Sequence, residues 1–259
     1  MADGSITDAE FKLAGLRLAV DGGVATITLT RPERRNALTF ATWHTLARIG
    51  ETLPDDVRVV VIRGEGPAFS AGIDLRLFSG EGVPGEDVSG PPDEEGIRKL
   101  QAGYLWLRRP DIVSIAAVQG HAIGGGFQLA LACDLRVVAD DVKFAMNEPA
   151  LGIVPDLTGT KTLSDIVGVP RALEICLTAR RIYAEEAARL GLAELVVPAP
   201  QLDSAVDDLV KAILTVKPET AAATKRLLSA APGNTIEEQA AIERREQAPL
   251  LRAMLGYTD

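Results

Sequence analysis

The chain of 259 residues is 47% hydrophobic and 24% charged, a balance typical of a globular protein large enough to bury a substantial core. Its net charge of −9, without any stretch dense in Lys or Arg, argues against a nucleic-acid-binding surface. The N-terminus lacks the pattern of a signal peptide, and no apolar run reaches the roughly 18 residues of a membrane-spanning helix. We therefore expect a cytoplasmic protein that binds neither nucleic acid nor membrane. The two cysteines, Cys133 and Cys176, lie far apart in apolar runs, which indicates reduced thiols rather than a disulfide or a zinc site.

Short apolar runs predict strands at 23–30, 57–64, 112–120, 134–139 and 193–198. The first run alternates apolar and polar residues, whereas 57–64 and 112–120 are continuously apolar, as in strands buried on both faces. Helical patterns lie between the strands, at 39–53, 94–109, 125–133, 162–168, 171–179 and 184–191. Strands that alternate with helices predict an α/β core.

Two segments depart from this alternation. Residues 79–96 are rich in Gly, Pro and acidic side chains and predict a mobile surface loop, which either covers a site or is a plain solvated insertion. Beyond Pro198 the strand patterns stop, and the chain favours helices to its end. We therefore predict a core at 1–198 and a C-terminal helical module at 199–259.

Three consecutive glycines, Gly124 to Gly126, stand directly before the most apolar helix. Their spacing fits neither the G-x-G-x-x-G dinucleotide motif nor a P-loop. The chain contains only two histidines, His44 and His121, which gives a Ser-His-Asp site little support. A helix that begins with bare backbone can offer N–H groups to a negative charge, but close packing of a helix on a strand also requires glycine. The glycines alone do not decide between these interpretations.

Neighbouring stretches carry further residues suited to chemistry. FSAGIDL at 69–75 predicts a turn of small residues that could offer one more N–H group, that of Ile73. RPERRNAL at 31–38 places three arginines beside the end of a strand, where they could bind phosphate groups. These arginines are Arg31, Arg34 and Arg35. Residues 144–160 carry two acids around Gly152, namely Glu148 and Asp156.

In their order and approximate spacing, four motifs resemble the crotonase family, the enoyl-CoA hydratase/isomerase superfamily. The motifs are RPERRNAL, SAGIDL, GHAIGGGFQLALACDLRV and EPALGIVPD, and the resemblance covers essentially the whole chain. It implies a spiral of ββα units followed by a C-terminal helical module that builds homotrimers, often paired into hexamers. It also implies an acyl-CoA thioester as the substrate and no further cofactor.

The resemblance also implies roles for individual residues. The oxyanion hole, which holds the thioester oxygen, would consist of the backbone N–H groups of Ile73 and Gly125. The CoA nucleotide would lie near the three arginines, with its adenine against the backbone of Ala71 and Gly72. Lys225 of the helical module would reach the CoA phosphates bound by a neighbouring subunit.

Positions 128 and 148 decide which reaction the resemblance implies. Hydratases of this family carry a glutamate at both positions, whereas this chain has Gln128 and Glu148. An amide can position a water molecule or a substrate but cannot exchange a proton near neutral pH. The pattern resembles the enoyl-CoA isomerases, in which one carboxylate moves a proton between C2 and C4. We therefore predict a double-bond shift through a thioester enolate, with Glu148 as the proton carrier.

Asp156 leaves a choice open. Its position matches a catalytic aspartate of dienoyl-CoA isomerases, although those enzymes carry a third acid where this chain has Gln128. Alternatively, Asp156 caps the helix that follows Pro155.

Two other functions remain as alternatives to the double-bond shift. They are an enoyl-CoA hydratase with Gln128 in place of one acid, and an acyl-CoA-binding protein without catalysis.

Overall fold

The computed structural model describes residues 5–79, 82–86 and 93–257. The strands of these ranges are β1 (Leu16–Asp21), β2 (Val24–Leu29), β3 (Val59–Gly64), β4 (Val113–Val118), β5 (His121–Ile123), β6 (Leu135–Ala139), β7 (Lys143–Ala145), β8 (Ile182–Tyr183) and β9 (Leu195–Val197). The helices are α1 (Asp8–Ala14), α2 (Phe40–Thr52), α3 (Glu94–Leu105), α4 (Gly125–Ala132), α5 (Gly159–Val167), α6 (Val169–Thr178), α7 (Ala184–Leu190), α8 (Leu202–Leu214), α9 (Pro218–Ala230) and α10 (Ile236–Leu255). No helix in the described ranges combines the length and apolarity needed to cross a membrane.

The main sheet has six strands in the order β1-β2-β3-β4-β6-β9, antiparallel between β1 and β2 and parallel elsewhere. Successive side chains of β3 point to opposite faces, and both faces are covered. Val60 and Ile62 belong to the larger core cluster, whereas Val59 and Val61 pack with α8 on the other side. Burial on both faces explains why this strand is continuously apolar.

A second sheet has the order β5-β7-β8, and its first strand, β5, lies directly before the glycine-rich helix α4 in the chain. Every residue of α4 is buried, so this helix has no polar outer face. A short parallel bridge joins Ser70 to Ala122 of β5. The bridge places the small-residue turn at 69–75 beside the glycine turn.

The structure confirms the predicted α/β core, its five strands and its six helices. The helix predicted at 94–109 ends at Leu105 and continues as a 3-10 turn, Trp106–Arg108. The predicted mobile loop lies partly outside the described residues, at 80–81 and 87–92. Within it, the Glu86 carboxylate accepts a hydrogen bond from the backbone N–H of Ala41.

The C-terminal residues are helical, as the sequence predicts. The first of these helices, α8, covers one face of the main sheet, while α9 and α10 pack on each other. The division of the chain at residue 198 stays a prediction.

Candidate active site

Two backbone segments approach each other at positions where only glycine fits. A β-carbon on Gly72 would lie 2.5 Å from the carbonyl oxygen of Ile123, and one on Gly126 would lie 2.7 Å from Ser70. Gly72 also has φ +84°, a conformation that side chains disfavour. Close packing and exposed N–H groups are therefore not alternatives here, because the packing of these glycines brings the predicted oxyanion-hole segments together.

Hydrogen bonds fix both segments and leave the two predicted donors free. Leu38 donates its N–H to Gly72 and accepts from the N–H of Asp74, each over 2.8 Å. This pairing passes over Ile73, whose N–H makes no hydrogen bond with the described residues. Gly125 stands at the first position of α4, where an N–H has no partner within the helix.

Glu148 lies over the glycine turn and is 6% exposed. A β-carbon on Gly124 would lie 3.2 Å from its Oε1 atom. The same Oε1 accepts a 2.6 Å hydrogen bond from Nε2 of Gln128, whereas Oε2 is buried without a partner among the described residues. Burial raises the pKa of the Glu148 carboxyl above its ordinary value, and the hydrogen bond from Gln128 only partly opposes this. One oxygen is thus anchored, and the other is available for proton transfer.

Gln128 binds protein groups through both ends of its amide. Its Oε1 accepts the N–H groups of Leu157 at 2.9 Å and Gly159 at 3.2 Å. These residues flank Thr158, whose φ of +70° is unfavourable for a β-branched side chain. The expectation that Gln128 positions a water molecule or substrate stays a prediction, while the contacts show that its carbonyl oxygen binds backbone and its amide holds Glu148.

Asp156 is half-buried, and no hydrogen bond from another described residue is formed with its carboxylate. Burial raises the pKa of this carboxyl, and its charge contributes to the raised pKa of Glu148. The capping alternative is wrong, since α5 begins at Gly159 and its N-cap is Thr158, without any side-chain cap. A partnerless acid therefore lies near Glu148.

The three predicted phosphate-binding arginines differ in their surroundings. Arg34 and Arg35 are exposed, and no ion pair joins them to the described acids. Arg31 instead pairs with Asp74 at 2.8 Å and donates to the Ala37 carbonyl. Its side chain is 16% exposed, and these contacts favour a structural role, while its phosphate-binding role stays a prediction. Arg34 and Arg35 remain available to an anion.

Lys225 does not extend toward solvent. Its Nζ atom contacts Asp134 at 2.6 Å and the Ile112 carbonyl at 2.8 Å, and its side chain is 11% exposed. The prediction that Lys225 reaches a phosphate group of a neighbouring subunit's CoA stays a prediction, and it requires the ammonium group to leave a half-buried ion pair. Burial lowers its pKa.

Sequence reasoning predicted α3 but missed three polar residues on it and just past it that hold the site from behind. Gln101 of α3 donates to the Asp156 carbonyl at 2.7 Å, and Tyr104 donates to the Gly125 carbonyl at 2.8 Å. Arg108, just past the helix, donates to the Leu131 carbonyl at 2.5 Å. The spacing i, i+3, i+7 places the three polar side chains on one face, which is the signal that could have identified them.

The described residues contain no group of three or more His, Cys, Asp or Glu side chains able to hold a metal ion. Cys133 is buried, and burial raises its thiol pKa to about 12. His121 is half-buried, and burial together with the nearby Lys143 and Arg35 lowers its pKa. These features favour core and structural roles for both residues.

Comparison with known proteins gives consistent matches along the chain. The family model described as enoyl-CoA hydratase/isomerase matches residues 19–252. Carnitinyl-CoA dehydratase of Escherichia coli K12 is 36% identical over 226 residues, which are 86% of this chain and 83% of that protein. Hydroxycinnamoyl-CoA hydratase-lyase of Pseudomonas fluorescens is 32% identical over 214 residues, 81% of this chain and 76% of the relative.

Among solved structures, a Thermobifida fusca YX protein that carries the name enoyl-CoA hydratase, crystallised with CoA, is 53% identical. It superposes with a TM-score of 0.92 and covers 98% of this chain and 100% of its own. A structure of a Thermobifida fusca YX protein of the same name in complex with acetoacetyl-CoA is 54% identical to this chain. It superposes with a TM-score of 0.90 and covers 95% of this chain and 98% of its own.

Proposed function

Because the chain belongs to the enoyl-CoA hydratase/isomerase family, and is an acyl-CoA enzyme of that family, we propose that it shifts a double bond in an enoyl-CoA thioester. The observation that carries this proposal is the asymmetry of the Glu148 carboxylate. Oε1 is held by Gln128, while Oε2 is buried without a partner. A site with one free carboxylate oxygen suits a reaction in which one group removes a proton and returns it.

The proposed reaction uses the backbone N–H groups of Ile73 and Gly125 to hold the thioester oxygen. Glu148 Oε2 removes a proton from C2 of a 3-enoyl-CoA, and negative charge accumulates on the thioester oxygen as the dienolate forms. Glu148 then returns the proton to C4, which leaves a 2-enoyl-CoA. Removal of one oxyanion-hole donor typically lowers the rate by roughly 10²–10³-fold, so the two N–H groups supply much of the expected rate enhancement.

Burial suits Glu148 to this task. A base must be ionised to remove a proton, yet a carboxylate of very low pKa is too weak a base to do so efficiently. Burial raises the pKa of Glu148 and so strengthens it as a base. Gln128 keeps one oxygen fixed without contributing a proton, since an amide does not titrate in this range.

Hydration or dehydration is the second candidate function. The relatives named as dehydratase and hydratase-lyase favour it, and Asp156 supports it because a second carboxyl with a raised pKa lies near Glu148. In this reaction, Asp156 and Glu148 would share the handling of water that a pair of glutamates performs elsewhere in the family.

The deciding experiment supplies a 3-enoyl-CoA, a 2-enoyl-CoA and a 3,5-dienoyl-CoA separately and resolves the products by mass and chromatography. We expect faster isomerisation of the 3-enoyl-CoA than hydration of the 2-enoyl-CoA. Glu148→Gln should lower isomerisation by roughly 10²–10⁴-fold. Glu51→Gln is the matched control, because Glu51 is exposed on α2.

Two outcomes would contradict the proposal. Efficient hydration by the wild type that persists in Glu148→Gln and disappears in Asp156→Asn would assign the chemistry to Asp156. Tight binding of acyl-CoA with no turnover of any of the three thioesters would instead indicate a binding protein.

We also propose that the helices beyond residue 198 assemble a homotrimer or hexamer. Large apolar side chains at the C-terminal end are exposed in the single chain, including Leu228, Met254 and Leu255. Exposed apolar side chains commonly mark contacts between subunits where they form a continuous patch. Light scattering that reports a monomer at micromolar concentration would refute this assembly.

A further inference from the structure

Tyr104 is a fully buried titratable residue that the proposed reaction does not use. Its hydroxyl lies within the core cluster around α4 and donates to the Gly125 carbonyl oxygen over 2.8 Å. A buried tyrosine hydroxyl needs a hydrogen-bond partner. Here that partner is the glycine that carries one of the two proposed oxyanion-hole donors.

Gly125 lies between two peptide planes that are anchored in different ways. The preceding plane, which contains the Gly125 N–H, is held by backbone, since the Gly124 carbonyl accepts from the N–H of Gln128 at 2.9 Å. One plane earlier, the Gly124 N–H donates to the Ala145 carbonyl at 2.8 Å. On the following plane, the Gly125 carbonyl receives the Tyr104 hydroxyl. Because glycine has wide conformational freedom, the direction of the Gly125 N–H depends on both anchors.

The helix that carries Tyr104 is itself held tightly. A β-carbon on Gly103 would lie 2.6 Å from the Trp43 carbonyl oxygen, so α3 and α2 contact each other through bare backbone. Gln101 and Arg108, on the same face as Tyr104, bind the carbonyls of Asp156 and Leu131. The Tyr104 hydroxyl is therefore a rigid anchor for the glycine turn.

Trp43 completes the surroundings of this hydroxyl. Its indole edge faces Gly125, where a β-carbon would lie 3.5 Å from Cζ2. Its buried Nε1 makes no hydrogen bond of normal geometry among the described residues, but it lies beside the Tyr104 oxygen. Burial raises the pKa of Tyr104, and the nearby indole N–H partly opposes this increase. The phenol therefore stays protonated near neutral pH and acts as a donor.

We propose that Tyr104 is a positioning residue of the oxyanion hole, which fixes the Gly125 N–H in the direction of the thioester oxygen through the Gly125 carbonyl. The inference rests on the proposed function in one respect, namely that the Gly125 N–H acts on a thioester carbonyl. Tyr104 touches no substrate atom in this arrangement. It should therefore influence catalysis more than binding.

The test compares the wild type with Tyr104→Phe, which removes only the hydroxyl. We expect kcat for the isomerised thioester to fall about tenfold, as for the loss of one hydrogen bond, while KM changes less than about twofold. Infrared spectra of bound acetyl-CoA labelled with ¹³C at the thioester carbonyl should show a smaller downshift of the C=O band than in the wild type. Tyr183→Phe is the matched control, because Tyr183 is 57% exposed on β8.

A fluorinated tyrosine at position 104 gives an independent measurement should Tyr104→Phe fold poorly. It keeps the side-chain shape and is a stronger donor, so the C=O downshift should increase. The proposal is overturned if Tyr104→Phe folds with wild-type kcat and an unchanged C=O band, or if kcat and KM change in parallel with thermal stability.

The infrared readout separates this proposal from the proposed function. A wild type that isomerises nothing, but shifts the carbonyl of bound acetyl-CoA in a manner that depends on Tyr104, would refute the isomerase and support the positioning role. A wild type that leaves the carbonyl unshifted would refute both.

Discussion

Replacement of Glu148 by Gln should make the folded protein more stable near neutral pH while it lowers turnover by roughly 10²–10⁴-fold. Glu148 is 6% exposed, and its Oε2 atom has no partner among the described residues. An unsatisfied buried polar group costs roughly 1–3 kcal/mol. Glutamine keeps nearly the same volume and can still accept from Gln128, but it removes the charge. The amide nitrogen of the new glutamine would itself lack a partner, which offsets part of this benefit. We therefore expect the free energy of unfolding to rise by only about 1–2 kcal/mol.

The gain should depend on pH in a defined direction. Burial raises the folded-state pKa of Glu148 above the ordinary value of 4.5. Below that value both the folded and the unfolded chain hold the proton, so the carboxyl imposes no charge penalty. As pH rises through the folded pKa, the folded state acquires a buried charge and wild-type stability falls relative to Glu148→Gln. The difference should therefore be largest above neutral pH and vanish at low pH.

Thermal unfolding monitored by circular dichroism checks this prediction. Near pH 8 the unfolding midpoint of Glu148→Gln should exceed that of the wild type by about 2–8 °C, from 2–4 °C per kcal/mol for a chain of this size. The two midpoints should converge near pH 4. Glu51→Gln, at an exposed site, should change neither midpoint. A lower midpoint for Glu148→Gln at pH 8, or a difference independent of pH, would refute the assignment of a buried, partly unsatisfied charge.

Three further expectations follow from the same geometry. The acid limb of the kcat/KM profile should lie above pH 4.5, since the pKa of Glu148 is raised by burial; a limb at or below 4.5 would contradict it. Gly126→Ala should lower the free energy of unfolding by about 1–3 kcal/mol through overpacking, because its β-carbon would lie 2.7 Å from Ser70. Gly125→Ala is the control: its β-carbon would meet only ordinary contacts at 3.4–3.5 Å, so this variant should fold normally. Chemical denaturation measures both. Joint replacement of Arg34 and Arg35 by Ala should weaken CoA binding and reduce its salt dependence, while acyl-pantetheine binding should stay unchanged. Calorimetry measures both affinities. Equal losses of affinity for the two ligands would contradict phosphate binding by these arginines.

The core of the fold could be predicted from sequence because burial leaves a strong pattern. A strand covered on both faces is apolar throughout, as at 57–64, and the structure covers β3 with different clusters on its two sides. The strands β5, β7 and β8 have only two or three residues each, which is too short for a period to emerge. The hairpin of β1 and β2 did have a sequence signal, the Gly22-Gly23 pair, and both glycines of this turn have positive φ in the structure.

The charged residues show why a site is harder to predict than a core. The sequence does not show whether an arginine or lysine is free or already in an ion pair, because the partner can be distant in sequence. Arg31 is joined to Asp74, 43 positions away, and Lys225 to Asp134, 91 positions away. Spacing within a motif carries no information about such partners. The exposed Arg34 shares the motif of Arg31 but not its ion pair.

Gln128 shows what sequence can and cannot provide at the centre of the site. The identity of the residue already excludes it as a proton carrier. Its role depends on the three groups it contacts, the Glu148 carboxylate and the N–H groups on either side of Thr158. A glutamate at this position could still accept the two N–H groups, but its second oxygen would face Glu148 at about the present 2.6 Å, where two carboxylates must share a proton. The amide therefore anchors the strained loop and Glu148 together without placing a second carboxylate in hydrogen-bond contact with Glu148.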